Sequence, residues 1–458
     1  MISFDAIIIG AGQAGPPLAG RLTAAGMKVA LIERKLFGGT CVNTGCMPTK
    51  TLVASAYAIH TARRGNDYGF SLSGDLHVDM PRIRDRAQTI TRDARSGVEA
   101  WLRGMNGCTV FKGHARFESP DSVRVGDDLL VAPKIFVNTG GRAAIPDFPG
   151  IETVPYLTNS TIVALDYLPE HLIIVGGSYI GLEFAQMYRR FGAKVTVIEK
   201  GARLIGREDE DISEAVRDIL QREGIMVRTG ANCIRLSAHT DGVAVGVDCT
   251  EGEPDIIGSD VLLATGRRPN TDDLGLERAG VMLDKRGFIP VGDDLSTNIP
   301  GIWALGDCNG RGAFTHTAYN DFEIVAANLL DGANRKVSDR LTAYALYIDP
   351  PLGRVGMTET EARTSGRPLL VGTRPMTKVG RAREKGETQG FMKIIADAET
   401  QKILGAGILG SSGDEAIHGI LDMMHAGIDY KTYQWAVPIH PTVSELIPTV
   451  LAEMKPVP

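Results

Sequence analysis

The chain reads as an α/β protein, with two Rossmann-like units followed by an α+β segment, on three observations. A short apolar strand twice runs into a glycine-rich turn. Residues 6–9 lead into Gly10-Ala11-Gly12-Gln13-Ala14-Gly15, and Leu172-Ile173-Ile174-Val175 leads into Gly176-Gly177-Ser178-Tyr179-Ile180-Gly181. Each turn then passes through a helix-length stretch to a second apolar strand ending on an acid, Glu33 after residues 29–32 and Glu199 after residues 195–198. From about Leu341 onward the texture changes to mixed strands and helices without such a turn.

In the first unit the glycines let the backbone approach a pyrophosphate, the helix N-terminus binds it, and the acid takes ribose hydroxyls. Pro16 and Pro17 fit the first turn of that helix, where proline is tolerated. First glycine and acid lie 23 positions apart in both copies, from 10 to 33 and from 176 to 199. A shared spacing across strand, loop, helix, strand and acid predicts two dinucleotide sites. Ser178 replaces the middle glycine of the second copy, so that loop is expected to hold its pyrophosphate a little farther away.

After the first unit comes Gly38-Gly39-Thr40-Cys41-Val42-Asn43-Thr44-Gly45-Cys46-Met47-Pro48-Thr49-Lys50. On a regular helix two residues five apart rise about 7.5 Å, beyond the roughly 7 Å Cα limit for a disulfide. The backbone must therefore distort between the cysteines, and Gly45 supplies the freedom. Pro48 suits the first turn of a helix starting beside it. This arrangement reads as a redox pair at a helix N-terminus, whose dipole favours a thiolate. A structural disulfide and half of a zinc site are the alternatives. Zinc needs about four ligands, and Cys108, Cys233, Cys249 and Cys308 form no second close pair.

Further along, residues 81–103 carry apolar positions at helical spacing and predict a long amphipathic helix with a solvated arginine face. Residues 110–131 read as short strands and turns. Ile135-Phe136-Val137-Asn138-Thr139-Gly140-Gly141 is a strand entering a tight turn, and residues 261–270 repeat that form. Residues 302–307 deliver Asp307 just after a glycine, suited to grip a polyhydroxyl chain. Thr315 is placed to cap the helix running from His316 toward Leu330, and His316 reads as structural. Antiparallel strands are expected over 390–410 and a helix over 414–426. Near the end, His440-Pro441 followed by Glu445 offers an imidazole oriented by a carboxylate.

With 458 residues there is room for about three domains. Hydrophobic and charged contents of 43% and 23% are those of an ordinary globular chain. A net charge of −6 provides no basic field for nucleic acid. No apolar run approaches the ~20 residues of a membrane span, and there is no basic leader. Together with six cysteines in a chain of this size, these features predict a cytoplasmic protein without membrane or nucleic-acid partners.

Taken together, the residues 39–50, both glycine fingerprints, 301–307 and 440–445 resemble the flavin-dependent pyridine-nucleotide disulfide oxidoreductases, the family of dihydrolipoamide dehydrogenase, glutathione reductase and mercuric reductase. The likeness covers nearly the whole chain. It implies two Rossmann-like domains for FAD and NAD(P), plus a C-terminal α+β dimerisation domain. The FAD domain would comprise 1–148 and 270–338, the NAD(P) domain 149–269, and the dimerisation domain 339–458. It implies a homodimer whose active site is shared, with His440 serving the partner subunit's thiols and Glu445 completing the acid/base pair. Gly10, Gly12, Gly15 and Glu33 would hold the ADP half of FAD, and Asp307 its ribityl chain. Gly39, Thr40, Thr139, Gly140 and Ala318 would add further cofactor contacts. Lys50 would sit near the flavin N5, paired with Glu183. On the nucleotide side the contacts would be Gly176, Tyr179, Ile180, Gly181, Glu199 and Gly266, with Tyr179 over the flavin where nicotinamide enters. Cys46 would be the thiol against the flavin and Cys41 the thiol that exchanges with substrate. No metal site is implied.

Glu199 favours NADH, because a carboxylate accepts from the ribose 2′-hydroxyl and repels a 2′-phosphate. Lys200 and Arg203 partly oppose that preference, so NADH or NADPH remains open. Three readings of the substrate follow: a small-molecule or protein disulfide or dithiol; a metal ion (mercuric or copper) or reactive chlorine oxidant, toward which Asp349-Pro350-Pro351-Leu352-Gly353-Arg354-Val355-Gly356 leans; or service as the dihydrolipoamide dehydrogenase subunit of a larger complex. Against mercury, no cysteine follows Cys308, and soft ions usually need several thiolates.

Overall fold

The computed structural model describes residues 1–248 and 253–457, so Cys249 lies outside the described residues. Ala6–Ile9 is the central strand of a five-stranded parallel sheet, ordered Ile302–Ala304, Ile135–Val137, Ala6–Ile9, Val29–Glu33 and Cys108–Lys112. Ile7 and Ile9 pack on one face with Phe117, Val123 and Ile289. Ala6 and Ile8 pack on the other with Leu18 and Leu22 of helix α1 (Gly15–Ala24). Both faces are covered, which is why the strand is apolar throughout instead of alternating.

Beyond Val29–Glu33 the chain enters α2 (Gly39–Thr44), breaks at Gly45 and continues as α3 (Cys46–Arg63). The long amphipathic helix is α4 (Met80–Gly104), and Asp79 caps it by accepting from Arg82 N at 3.0 Å. The short strands expected over 110–131 occur at Cys108–Lys112, Ala115–Ser119, Ser122–Val125 and Asp128–Val131.

The second unit repeats the first. His171–Val175 lies between Lys194–Ile198 and Asp260–Leu263 in a parallel sheet closed by Met226–Arg228. Helix α5 (Tyr179–Phe191) packs Leu182 and Phe191 on Leu172 and Ile174. Ile173 and Val175 face the other way, toward Val243 and Val245 of an antiparallel sheet. The two strand-and-turn segments predicted at 135–141 and 261–270 meet each other: Gly141–Ala143 pairs antiparallel with Arg267–Pro269 and joins the units.

Helix α6 (Thr315–Leu330) follows the Asp307 turn. Its cap differs from the expectation. Phe314 is the N-cap, and Thr317 Oγ1 reaches back to accept from Phe314 N at 3.1 Å. Thr315 points instead toward the cysteines. The C-terminal segment forms a six-stranded antiparallel sheet, ordered Ala343–Leu346, Leu352–Gly356, Ile403–Leu409, Phe391–Asp397, Leu369–Pro375 and Lys455–Val457. The single helix expected over 414–426 is divided into Gly413–Ala416 and His418–His425. Ile417 lies between them and fills the space above Gly353. Among the described residues no helix is long and apolar enough to cross a membrane.

Candidate functional site

The two cysteines face each other across the helix break. A Cβ on Gly45 would lie 2.9 Å from Thr40 O and 3.3 Å from Cys41 Cα, so only glycine lets α2 and α3 come this close. Both sulfurs are free thiols, Cys41 half-buried and Cys46 exposed. They are electrostatically unequal. The Cys41 thiol donates toward Cys46, and with Thr315 and the nearby Lys50 charge it outweighs desolvation, lowering the Cys46 pKa to about 6. Cys41, as that donor and partly buried, is pushed well above the usual thiol range. Cys46 also opens α3, where the helix dipole favours a thiolate. Thr315 Oγ1 lies 3.2 Å from Cys46 Sγ.

One turn along α3, Lys50 Nζ meets Glu183 Oε2 at 2.5 Å. Glu183 is buried on α5, and its other oxygen accepts from Tyr347 N at 3.0 Å. The Lys50 ammonium also sits 4.5 Å from the centre of the Tyr347 ring. This pair joins α3 to the second Rossmann unit.

The glycine turns match contact for contact. Gly10 and Gly176 have φ of +110° and +118°, and a Cβ on each would lie 2.3 Å from a carbonyl, of Asn138 and Ala264 respectively. Gly15 and Gly181 lie against the first glycine of their own turn, with Cβ positions 2.2 and 2.1 Å from its carbonyl oxygen. Both acids fold back onto their loops. Glu33 Oε2 accepts from Ala11 N at 2.9 Å, and Glu199 Oε2 accepts from Gly177 N at 2.7 Å. Each carboxylate is thus fixed beside its turn by the residue after the first glycine. At the position of Gly12 the second turn has Ser178, exposed at the start of α5.

Around the first turn, a Cβ on Gly39 would lie 2.9 Å from Gly12 Cα. Thr40 Oγ1 donates to Gly141 O at 3.4 Å, and Gly140 has a φ of +65°. Thr139 Oγ1 is buried with no hydrogen-bond partner among the described residues. Asp307 pairs with Arg267 Nε at 3.3 Å, and Arg267 also donates to Gly141 O at 2.5 Å. Ala318 is buried on α6 against Gly306. Around the second turn, Ile180 is exposed and Gly266 has a φ of +118°.

Tyr179 opens α5, and its hydroxyl donates to Glu208 Oε1 at 3.2 Å. Tyr344 Oη donates to the same oxygen at 2.7 Å, with the two rings edge-to-face at 5.4 Å. Tyr344 stacks on Phe314, which stacks on His316. His316 Nε2 bonds Ala343 O at 2.7 Å, a structural placement. His440 Nδ1 and Glu445 Oε2 are joined at 2.9 Å, with the imidazole largely exposed; Glu445 is its one hydrogen-bond partner among the described residues. Within one chain, then, the His440–Glu445 pair forms no hydrogen bond to either thiol.

Sequence reasoning did not single out Thr315 as a thiol contact, nor Asn138, Arg267, Glu208, Tyr344 or Tyr347. The one local signal among them was Asn138, which ends the 135–137 strand where the matching segment has Ala264. Its carbonyl abuts Gly10, and its side chain lies beside Gly12, Gly15 and Gly306.

Residues 4–321 match the family model described as pyridine nucleotide-disulphide oxidoreductase, and residues 342–451 match the dimerisation domain of the same family. The chain is 37% identical to the probable pyridine nucleotide-disulfide oxidoreductase RclA of Escherichia coli K12, over 99% of this chain and 100% of that protein. It is 33% identical to the dihydrolipoyl dehydrogenase of Thermus scotoductus, over 97% and 96% of the two chains. The solved Cu(II) complex of the HOCl-induced flavoprotein disulfide reductase RclA from E. coli superposes with a TM-score of 0.90 at 36% identity, covering 99% of each chain.

Proposed function

The chain belongs to the pyridine nucleotide-disulphide oxidoreductases, flavoproteins that use FAD and NAD(P)H, and on that premise we propose that it passes electrons from NAD(P)H to its Cys41–Cys46 pair and on to a disulfide, or in reverse from a dithiol. The observation that carries this reading is the unequal thiol pair across Gly45, with Cys46 poised as a thiolate one turn from Lys50. The dimerisation domain supports a homodimer. We assign residues 1–148 and 270–338 to the FAD domain, 149–269 to the NAD(P) domain and 339–458 to the dimer interface.

The first turn fits FAD. A side chain on Gly39 would collide with the Gly12 backbone, so the two glycines keep this turn open to a ligand, and Thr139 places a buried hydroxyl beside it. Gly10, Gly12, Gly15 and Glu33 would hold the ADP half, and Gly39, Thr40, Thr139, Gly140, Asp307 and Ala318 the remainder. FAD, when bound, supplies the two-electron centre between the nicotinamide and the thiols. Lys50, oriented by Glu183, places a positive charge beside Cys46. Gly176, Ile180, Gly181, Glu199 and Gly266 would receive the nicotinamide nucleotide, and Tyr179 covers its entrance. Glu199, already held beside its loop, favours NADH. Cys46 keeps the thiolate, and Cys41, once its proton has been taken up by a base, attacks a disulfide sulfur of the substrate and releases the other sulfur as a thiolate. His440 of the partner subunit, oriented by its glutamate, takes or returns the thiol proton.

A second reading takes Cu(II) or a reactive chlorine oxidant as the acceptor. It is favoured by the full-length likeness to a reductase solved as a Cu(II) complex and described as HOCl-induced. One experiment addresses both. The protein is reduced anaerobically with NADH or NADPH, the long-wavelength absorbance of a thiolate beside the flavin is recorded, and lipoamide, glutathione disulfide, Cu(II) and hypochlorous acid are added in turn. Cys46→Ser is expected to abolish the band, and a variant that keeps it refutes the thiol assignment. His440→Ala is expected to slow thiol turnover while sparing the nicotinamide half-reaction. Equal slowing of both steps removes its acid/base role.

A further inference from the structure

Glu208 is 2% exposed, yet its Oε1 accepts two tyrosine hydroxyls from different units, Tyr179 at 3.2 Å and Tyr344 at 2.7 Å. Its Oε2 has no hydrogen-bond partner among the described residues and faces the fully buried Arg354 Nε at 3.6 Å. Tyr344 and Arg354 are register partners on adjacent antiparallel strands, so their side chains lie on one face of the sheet. That face presents a hydroxyl and a guanidinium to one carboxylate of the second Rossmann unit.

We propose that Glu208 and Tyr344 are positioning residues that latch Tyr179 across the nicotinamide entrance and set how readily it opens. The proposal rests on the reading of Tyr179 given above. When Tyr179 swings aside, its bond to Glu208 breaks. A buried carboxylate stripped of both hydroxyls keeps its 3.6 Å contact with Arg354 but loses those hydrogen bonds and carries part of the desolvation penalty of that group, whereas one that retains a hydroxyl donor carries less of it. Tyr344, with the shorter bond, is that remaining donor. Its hydroxyl therefore makes opening easier, although it never touches the nucleotide. Without it, Tyr179 becomes the only hydroxyl on Glu208 and the closed arrangement tightens.

The test is calorimetric titration of NAD+ into the oxidised, FAD-loaded homodimer. Tyr344→Phe, which keeps the ring, is expected to weaken NAD+ binding about tenfold, and Tyr179→Phe to strengthen it by a similar factor, the scale of one hydrogen bond to a charged group. In the Tyr179→Phe background, Tyr344→Phe is expected to have no further effect, because it acts through the Tyr179 hydroxyl. A Tyr344→Phe protein that binds NAD+ like the parent overturns the latch, as does an effect that persists unchanged in the double variant. Tyr179→Ala separates the two failures. Unchanged NAD+ binding in that variant overturns the reading of Tyr179 itself, while altered binding beside a silent Tyr344→Phe overturns only the latch.

Discussion

Thr315→Val removes the hydroxyl 3.2 Å from Cys46 Sγ and keeps the size of the side chain. The helix is not uncapped by the change, since Phe314 is the N-cap and Thr317 supplies the capping oxygen. The Cys46 pKa is lowered to about 6, first by the Cys41 thiol, then by Thr315 and Lys50, against the opposing effect of burial. A hydrogen bond to a charged group contributes about 1.5–3 kcal/mol, and one pKa unit corresponds to about 1.4 kcal/mol. The Thr315 hydroxyl shares this lowering with the Cys41 thiol and the Lys50 charge, so its own part is about 1 kcal/mol. The Thr315→Val midpoint should therefore rise by about 0.5–1 unit. Only the thiolate gives the band beside the flavin, so in the parent the band falls as the pH drops through about 6 and in the variant it is lost at higher pH. The assay is the long-wavelength absorbance of the thiolate beside the flavin in the reduced protein, followed across the acid and neutral range. Thr315→Ser should keep the parent midpoint. A Thr315→Val midpoint that does not move, or a Thr315→Ser midpoint displaced as far, refutes the argument.

Other changes test the remaining parts of the site. Gly45→Ala places a Cβ 2.9 Å from Thr40 O and forces α2 away from α3; a loss of about 1–3 kcal/mol in denaturant unfolding and slower closure of the disulfide are expected. Gly10→Ala and Gly176→Ala each drive a Cβ to 2.3 Å from a carbonyl at strongly positive φ. The first should purify depleted of FAD, and the second should keep FAD while losing nicotinamide nucleotide binding, as absorbance and calorimetry would record. Lys50→Met leaves the buried Glu183 with Tyr347 N as its remaining hydrogen-bond donor among the described residues; since Lys50 is about one-third exposed, a destabilisation of about 1–2 kcal/mol in urea is expected, below that of a fully buried pair. The ratio of kcat/KM for NADH to that for NADPH should exceed one and fall in Glu199→Ser.

Both dinucleotide turns were legible because their requirements are local. Gly10 and Gly176 need positive φ and room against one neighbouring carbonyl, and the strand and acid that flank each turn are its near neighbours in the chain. The cysteine stretch was legible for a similar reason, since five residues of separation and one glycine already imply a broken helix. Thr315 was misread as a cap because a threonine before a helical pattern has that meaning locally. Its actual neighbour, Cys46, is 269 residues away in the chain. The Lys50–Glu183 pair, 133 residues apart, came from the family likeness and not from spacing.

By itself the sequence determined the two Rossmann-like turns, the helix broken at Gly45 and the order in which they occur, since each depends on backbone conformation and apolar period over a few residues. Tertiary structure decided that Lys50 and Thr315 lie beside Cys46, where Thr315 points and what holds Tyr179. Those depend on groups from distant segments brought within hydrogen-bond reach, and hydrogen bonding and burial act over a few ångströms in space whatever the separation along the chain.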